Sequence, residues 1–276
     1  MKIAQLCPYD IHRPGGVQRH VIDLSASLHR LGHDVTIVAP RIGKEAKGTS
    51  CDPDFGCVPI VLIGRGHLIS LNETQFEVTL AVGKERVQLD RMLQTDGFDV
   101  LHCHSLSSPF LAVQGLQSAN RAGLASVATF HAVPPETRTG SVQRVLLRAL
   151  HRRLMPRLHG VILASEVQKR FVPMATDMPH AILPTCINLG RFDAGGEPQA
   201  RDDRINILFL GRLEPRKGPL VLLRAYRELC LKGLRVRLTV AGDGSERATL
   251  EHFARAQAIP QIDFLGAVRD AELPRL

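Results

Sequence analysis

The chain contains no tryptophan and only two tyrosines, Tyr9 and Tyr226. That scarcity argues against a surface built to stack on bases or carbohydrate rings. None of the six cysteines, Cys7, Cys51, Cys57, Cys103, Cys186 and Cys230, forms a CxxC pair. Free thiols in a reducing cytosol are therefore expected. A secretory h-region is missing too, because the apolar stretch Lys2–Pro8 is too short and holds Gln5. No run approaches the roughly 18 apolar residues of a spanning helix. The sequence also lacks GxGxxG and a Walker A loop, which removes support for dinucleotide and P-loop readings.

What is present is a basic chain. Lysine and arginine total 35 against 27 acidic residues, a formal charge of +8. Such a surplus suits phosphates, an acidic membrane surface or nucleic acid, and a generic basic surface explains it equally well. Nothing beyond net charge favours nucleic acid, so no nucleic-acid partner is expected.

Apolar patterning gives an α/β alternation. Lys2–Pro8 reads as a buried strand. Val17, Val21, Leu24, Leu28 and Leu31 then mark one face of a helix, with Gly32 as a left-handed C-cap. Strands are expected at Asp34–Pro40, Val58–Ile63, Phe98–His102, Ser126–Phe130, Val161–Ala164 and Ala181–Leu183. Helices are expected around Glu77–Leu93, Pro109–Gly123 and Ser141–Leu158. The segment 194–204, AGGEPQARDDR, has no apolar periodicity and suits a linker. The pattern restarts with a strand at Ile205–Leu210, a helix at Pro219–Lys232, a strand at Val236–Ala241, a helix at Ser245–Ala258 and a strand at Ile262–Leu265. The expected organisation is a domain over 1–193, the linker, and the first part of a second domain over 205–276. Residues 205–276 are fewer than the roughly 100–150 of a doubly wound domain, so that second domain is expected to be incomplete.

Four loops follow strands, where open parallel sheets bind ligands. In Cys7–Val17, Gly15 and Gly16 let backbone approach a ligand, and the helix start beyond them can hold a phosphate. In Gly211–Gly218, Arg212, Arg216 and Lys217 stand between a strand and a helix that opens on Pro219, and cations there would neutralise a diphosphate. His131 ends the third strand of this kind. Gly242 and Gly244 suit a tight turn in the fourth loop, with Ser245 as an N-cap. His102-Cys-His104 has metal-like spacing, but no further ligand is near in sequence, so no metal is expected. The helix within 141–160 interleaves Arg144, Arg148, Arg152, Arg153 and Arg157 with leucines. It can lie on an anionic membrane surface, or it is an ordinary surface helix with its leucines in the core.

CPYDIHRPGGVQRHV, FDVLHCHS, VATFH, LFLGRLEPRKG, AGDG and FLGAVRDAEL occur in that order. Together they resemble the family-4 retaining glycosyltransferases of the GT-B fold, especially the phosphatidylinositol mannosyltransferase branch. The resemblance implies a complete N-terminal Rossmann-like domain on the acceptor side and the first part of a Rossmann-like nucleotide-sugar domain. It implies transfer of a hexose, with mannose the first candidate, from a GDP- or UDP-sugar to a lipid-linked or glycan acceptor. The implied setting is cytoplasmic, peripheral on the inner face of the membrane. By the same resemblance, His131 would contact the transferred sugar, and Arg212 and Lys217 would bind the diphosphate. Gly15, Gly16, Gly242 and Gly244 would line the donor, and Tyr9, Gln18 and Arg216 would face the acceptor. No cofactor or metal is implied.

Three departures stand out. The family's E-x7-E stretch falls beyond residue 276, so the chain is expected to be truncated. A catalytically inactive protein acting in membrane or partner binding is the alternative this leaves. The family's Pro-Asn-Gly turn reads Pro184-Thr-Cys-Ile-Asn188. The segment after His131, Ala-Val-Pro-Pro-Glu136, carries no base for an anionic acceptor.

Overall fold

The structure is a computed structural model. It describes residues 1–41, 58–71, 74–108, 110–133, 138–185, 187, 190, 192, 203–269 and 272–276. The chain divides into two compact units, Met1–Ile69 with Phe76–Ile187, and Ser70–Gln75 with Asn188–Leu276. Most of the expected linker lies outside the described residues.

The first unit is built on an eight-stranded sheet. In chain order its elements are β1 (Lys2–Leu6), α1 (Gly16–Arg30), β2 (Asp34–Arg41), β3 (Ile60–Leu71), β4 (Thr74–Leu80) and α2 (Lys84–Thr95). Then follow β5 (Val100–His104), α3 (Leu111–Arg121), β6 (Ala125–Phe130), α4 (Arg138–Leu154), β7 (Gly160–Leu163) and β8 (His180–Ile182). The strand order is β4-β3-β2-β1-β5-β6-β7-β8. From β3 to β8 neighbouring strands pair in parallel. The chain winds outward from β1 on one side and from β5 on the other. Their junction is thus a topological switch point, where a crevice opens at the carboxyl ends of the strands.

Alternation along the strands decides which side chains lie on each face of the sheet. Val35, Ile37 and Ala39 of β2 cluster with Val21 and Ile22 of α1, while Val38 joins the cluster built with α2 and α3. Ala4 and Leu6 of β1, Leu101 and Cys103 of β5, and Ala128 and Phe130 of β6 all belong to the α2–α3 cluster. Successive strand residues point to opposite faces. Gln5, His102, His104 and Thr129 are consequently left on the α1 face, as a line of buried polar groups. On the other face α3 packs closely on β1. A Cβ on Gly115 would stand 2.3 Å from Leu6 Cδ2.

The second unit contains β9 (Ile205–Leu210), α5 (Pro219–Leu231), β10 (Val236–Ala241), α6 (Arg247–Ala256) and β11 (Ile262–Gly266). Its three strands pair in parallel in the order β11-β10-β9. Leu213, Leu223, Tyr226, Leu238, Val240 and Leu250 form its core. Buried Tyr226 donates its hydroxyl to the carbonyls of Pro260 and Gln261, which satisfies the polar end of the largest core side chain.

Sequence patterning differs from the structure in five places. The strand expected at Val58–Ile63 begins at Ile60 and runs on to Leu71. The helix expected around Glu77–Leu93 is a strand through Leu80 and a helix from Lys84. The β-branched pair Val78-Thr79 favours extended chain, and Gly83 at φ 54° breaks the two apart. The strand expected at Phe98–His102 runs instead from Val100 to His104, which brings His104 to its carboxyl end. The helix expected over Ser141–Leu158 is α-helical only to Leu154, after which Pro156 sits in a single 3-10 turn. Ser245 is not an N-cap, since α6 is entered from Glu246 with no side-chain cap bond.

Candidate functional site

In the first unit the loop between β1 and α1 is anchored from outside its own sequence. Glu77 of β4 accepts from the backbone N–H of Asp10 at 2.8 Å and pairs with Arg13 at 2.8 Å. Thr79 donates its hydroxyl to the Pro8 carbonyl at 2.8 Å. Burial raises the Glu77 carboxyl, opposed by the Asp10 N–H and by Arg13. Gly15 is extended, and a Cβ on it would meet the Gln18 amide at 2.3 Å. Gln18 itself is buried and turns back to donate to the Asp10 carbonyl at 3.4 Å. Gly16 has open space around it. Tyr9 is half-buried, and burial raises its phenol against hydrogen bonds with Ser105 and Ser108. Cys7, wholly buried, is pushed up to about 12 and is no nucleophile.

Beside this loop four histidines converge. His102 and His104 come from β5, His131 follows β6, and His20 lies in α1. His102 Nε2 is 2.7 Å from Thr129 Oγ1. His104 Nδ1 is 3.1 Å from His131 Nε2, and His104 Nε2 is 2.8 Å from Gln5 Oε1. The His20 ring meets His131 edge-on at a centroid distance of 5.0 Å. Burial is the first cause of every shift in the cluster, and mutual repulsion adds to it at three of the four. It lowers His131 to about 4 and His102 to about 3, and holds His104 well below its ordinary range. His20 is lowered by burial as well, against the pull of Asp23. The cluster is therefore uncharged at neutral pH.

His102 and His131 have an ordinary value of 6.5 and folded values near 3 and 4. Between those limits the unfolded chain binds more protons, so stability falls as pH drops from about 6.5 towards 4. The urea midpoint should decrease across that window, and His102→Gln should flatten the decrease. An equal slope in the variant would remove His102 from the account.

In the second unit the loop after β9 is organised by an acid. Glu214 is 5% exposed, and its two oxygens meet Arg212 at 2.9 Å and Arg216 at 2.8 Å. Arg212, Arg216 and Lys217 are exposed, and among the described residues Lys217 has no ion-pair partner. Gly218, left-handed at φ 68°, turns the chain into α5, and Pro219 takes its first position. The loop after β10 crosses the same ground. Leu213 N–H donates to the Asp243 carbonyl at 2.9 Å, and Glu246 N–H donates to the Leu213 carbonyl at 3.0 Å. A Cβ on Gly242 would stand 1.9 Å from the Gly211 carbonyl oxygen, and one on Gly244 would stand 2.4 Å from that of Leu213. Both glycines thus let two backbones touch.

The sequence singled out the cations and glycines of these loops but missed Glu214, His20 and Gln5. Glu214 had a readable signal, an acid set between two arginines. His20 and Gln5 had none, because only the sheet order joins them to His104.

Residues 14–191 match the sequence profile described as Glycosyltransferase Family 4. The chain belongs to glycosyltransferase family 4. Residues 194–276 match a second profile, Glycosyl transferases group 1. A phosphatidyl-myo-inositol mannosyltransferase of Mycolicibacterium smegmatis is 32% identical over 276 residues, 98% of this chain and 66% of that protein. The chain thus spans just under two thirds of that relative's length. The phosphatidylinositol N-acetylglucosaminyltransferase GPI3 subunit of Saccharomyces cerevisiae is 25% identical over 96% of this chain and 58% of its own length. Among solved structures, Anabaena HepE in complex with UDP and glucose matches with a TM-score of 0.68 at 15% identity, over 100% of this chain and 71% of that one. A sucrose-phosphate synthase of Thermosynechococcus elongatus matches at 0.67 and 16% identity, over 99% and 72%. These likenesses show the GT-B glycosyltransferase fold for this family-4 chain.

Proposed function

We propose that this family-4 chain serves retaining transfer of a hexose, with mannose the first candidate, from a GDP- or UDP-sugar to a lipid-linked or glycan acceptor. The observation that carries the reading is the loop after β9. A buried carboxylate holds Arg212 and Arg216 in place, while Lys217 stands uncommitted beside the start of α5. Such an array suits a diphosphate. Arg212 and Lys217 would stabilise the charge that grows on the leaving nucleoside diphosphate. Those cations supply what a divalent ion would otherwise supply, so transfer needs no metal in this reading. His131, uncharged, would contact the transferred sugar by hydrogen bonding. Gly15 and Gly16 would admit the donor, and Tyr9, Gln18 and Arg216 would serve the acceptor. The names of the mannosyltransferase relatives support a lipid acceptor.

The helix α4 supports a membrane partner for the same function. Arg148, Arg152 and Arg153 are exposed along it, together with Val145 at 69% and Leu146 at 66%. Cations beside exposed apolar side chains suit an anionic lipid surface. No helix among the described residues is long and apolar enough to cross a membrane. A cytoplasmic enzyme resting on the inner face of the membrane fits these features.

Calorimetric titration of the 276-residue chain with GDP, UDP and their hexose conjugates tests the reading. Saturable binding of one nucleotide, lost in Lys217→Ala, is expected. A folded sample that binds none of them would overturn the donor assignment and favour a protein that acts only in membrane or partner binding.

A further inference from the structure

We infer that His20, His104 and His131 form a binding site for one transition-metal dication of the zinc class. One ring nitrogen from each lies within 4.8 Å of the other two. The tightest pair, His104 Nδ1 and His131 Nε2, is 3.1 Å apart. Two imidazole ligands on a tetrahedral zinc, each at about 2.0–2.1 Å, sit roughly 3.3–3.4 Å from one another. The pair therefore needs only a few tenths of an ångström to exchange its shared proton for an ion. His20, within 4.8 Å of both, must close by up to about 1.4 Å, which a half-buried side chain reaches by rotating about its side-chain bonds.

A second observation points the same way. The far nitrogen of His104 faces Gln5 Oε1 at 2.8 Å. A proton held there leaves Nδ1 bare and aimed at His131. Metal-bound histidines are held by this kind of outer partner. Gln5 and His104 are both wholly buried, so this half of the site is rigid, while half-buried His20 and His131 give an ion its way in. Burial keeps all three rings uncharged, and an uncharged imidazole is the form that binds metal. Three imidazoles suit zinc, cobalt, nickel or copper better than magnesium or calcium, and leave a fourth position for water or an anion.

The sequence alone gave no reason to expect this. His102-Cys-His104 proposes the wrong pair, since His102 is engaged by Thr129 and the other two ligands come from α1 and the end of β6. His131 is shared with the sugar contact proposed above, but the geometry of the first unit alone carries the inference.

The test is titration of the metal-free 276-residue chain with cobalt(II), followed by the visible bands of a four-coordinate ion. Zinc competition then gives the affinity. One equivalent is expected to bind and to be displaced by zinc. His20→Ala should weaken binding at least tenfold, and Gln5→Leu by about tenfold through the lost outer partner. His102→Gln should leave it unchanged. His20 is half-buried on a helix, so its variant should keep the wild-type circular dichroism. His104→Ala, buried in the sheet, is a weaker test because it risks the fold. Absence of four-coordinate bands in the folded wild type would overturn the site. So would an affinity unchanged in His20→Ala.

Discussion

Arg212→Ala or Lys217→Ala, each made in a form extended to the full length of the family-4 relatives, should lower kcat by about 10²- to 10³-fold. Glu214 is held out of water between Arg212 and Arg216, so its carboxylate fixes two guanidinium groups at the end of β9. Lys217 closes a short 3-10 turn, Pro215–Lys217, and is left uncommitted. A diphosphate departing from the sugar gains negative charge in the transition state, and fixed cations aimed at that charge need no reorganisation. Interactions made mainly in the transition state appear in kcat and kcat/KM together. Lys217→Arg should recover part of the loss, because it restores charge with a different shape. Arg212→Ala also leaves Glu214 with Arg216 alone, so its effect should be read against a thermal unfolding curve. A rise in KM with kcat intact would mean that the cations only hold the donor. Near-normal turnover in both alanine variants would remove them from the chemistry altogether.

The fold was legible where one signal repeated. Apolar runs of strand length alternated with 3.6-period stretches, and Gly32, Gly97 and Pro219 marked turns whose backbone demands are local. Patterning was weakest between the strand expected at Val58–Ile63 and the helix expected around Glu77–Leu93. There β3 gives way to β4 with only residues 72–73 between them, and the helix expected from Glu77 begins only after Gly83. Nothing within that segment says that Glu77 will be called away to pin Asp10 and Arg13 of the first loop. That demand comes from residues more than sixty positions earlier.

The candidate site was legible in its cations and much less so in its histidines. Alternation alone places His102 and His104 on one face. It cannot say that Thr129 takes the first ring while Gln5 and His131 take the second, because those contacts depend on which strands flank β5. The glycines carried a different ambiguity. A glycine after a strand serves either a ligand or a neighbouring backbone, and only the position of that backbone separates the two.

Gly242 is where the ambiguity can be resolved by experiment. It sits at φ 145°, and an added Cβ would stand 1.9 Å from the carbonyl oxygen of Gly211. That oxygen belongs to backbone held in place by Gly211 N–H on the Ala241 carbonyl and Leu213 N–H on the Asp243 carbonyl, both at 2.9–3.0 Å. Neither partner is a flexible side chain that could swing aside. Gly242→Ala should thus cost about 3–5 kcal/mol of the second unit's stability, combining backbone strain with a clash that must be relieved by moving a strand end. Gly233 is the control. It too is left-handed, at φ 73°, but nothing lies within 4 Å of its added Cβ. Gly233→Ala should cost only about 1–2 kcal/mol, the conformational penalty alone. The chain has no tryptophan and its two tyrosines are divided between the units, so hydrogen exchange over β9 and β10 reports on the second unit directly. Equal losses in the two variants would show that the contact with Gly211 carries no weight. A Gly242→Ala protein with unchanged stability and lost nucleotide affinity would return that glycine to the donor, because the clash would then lie with the ligand and not with the neighbouring loop.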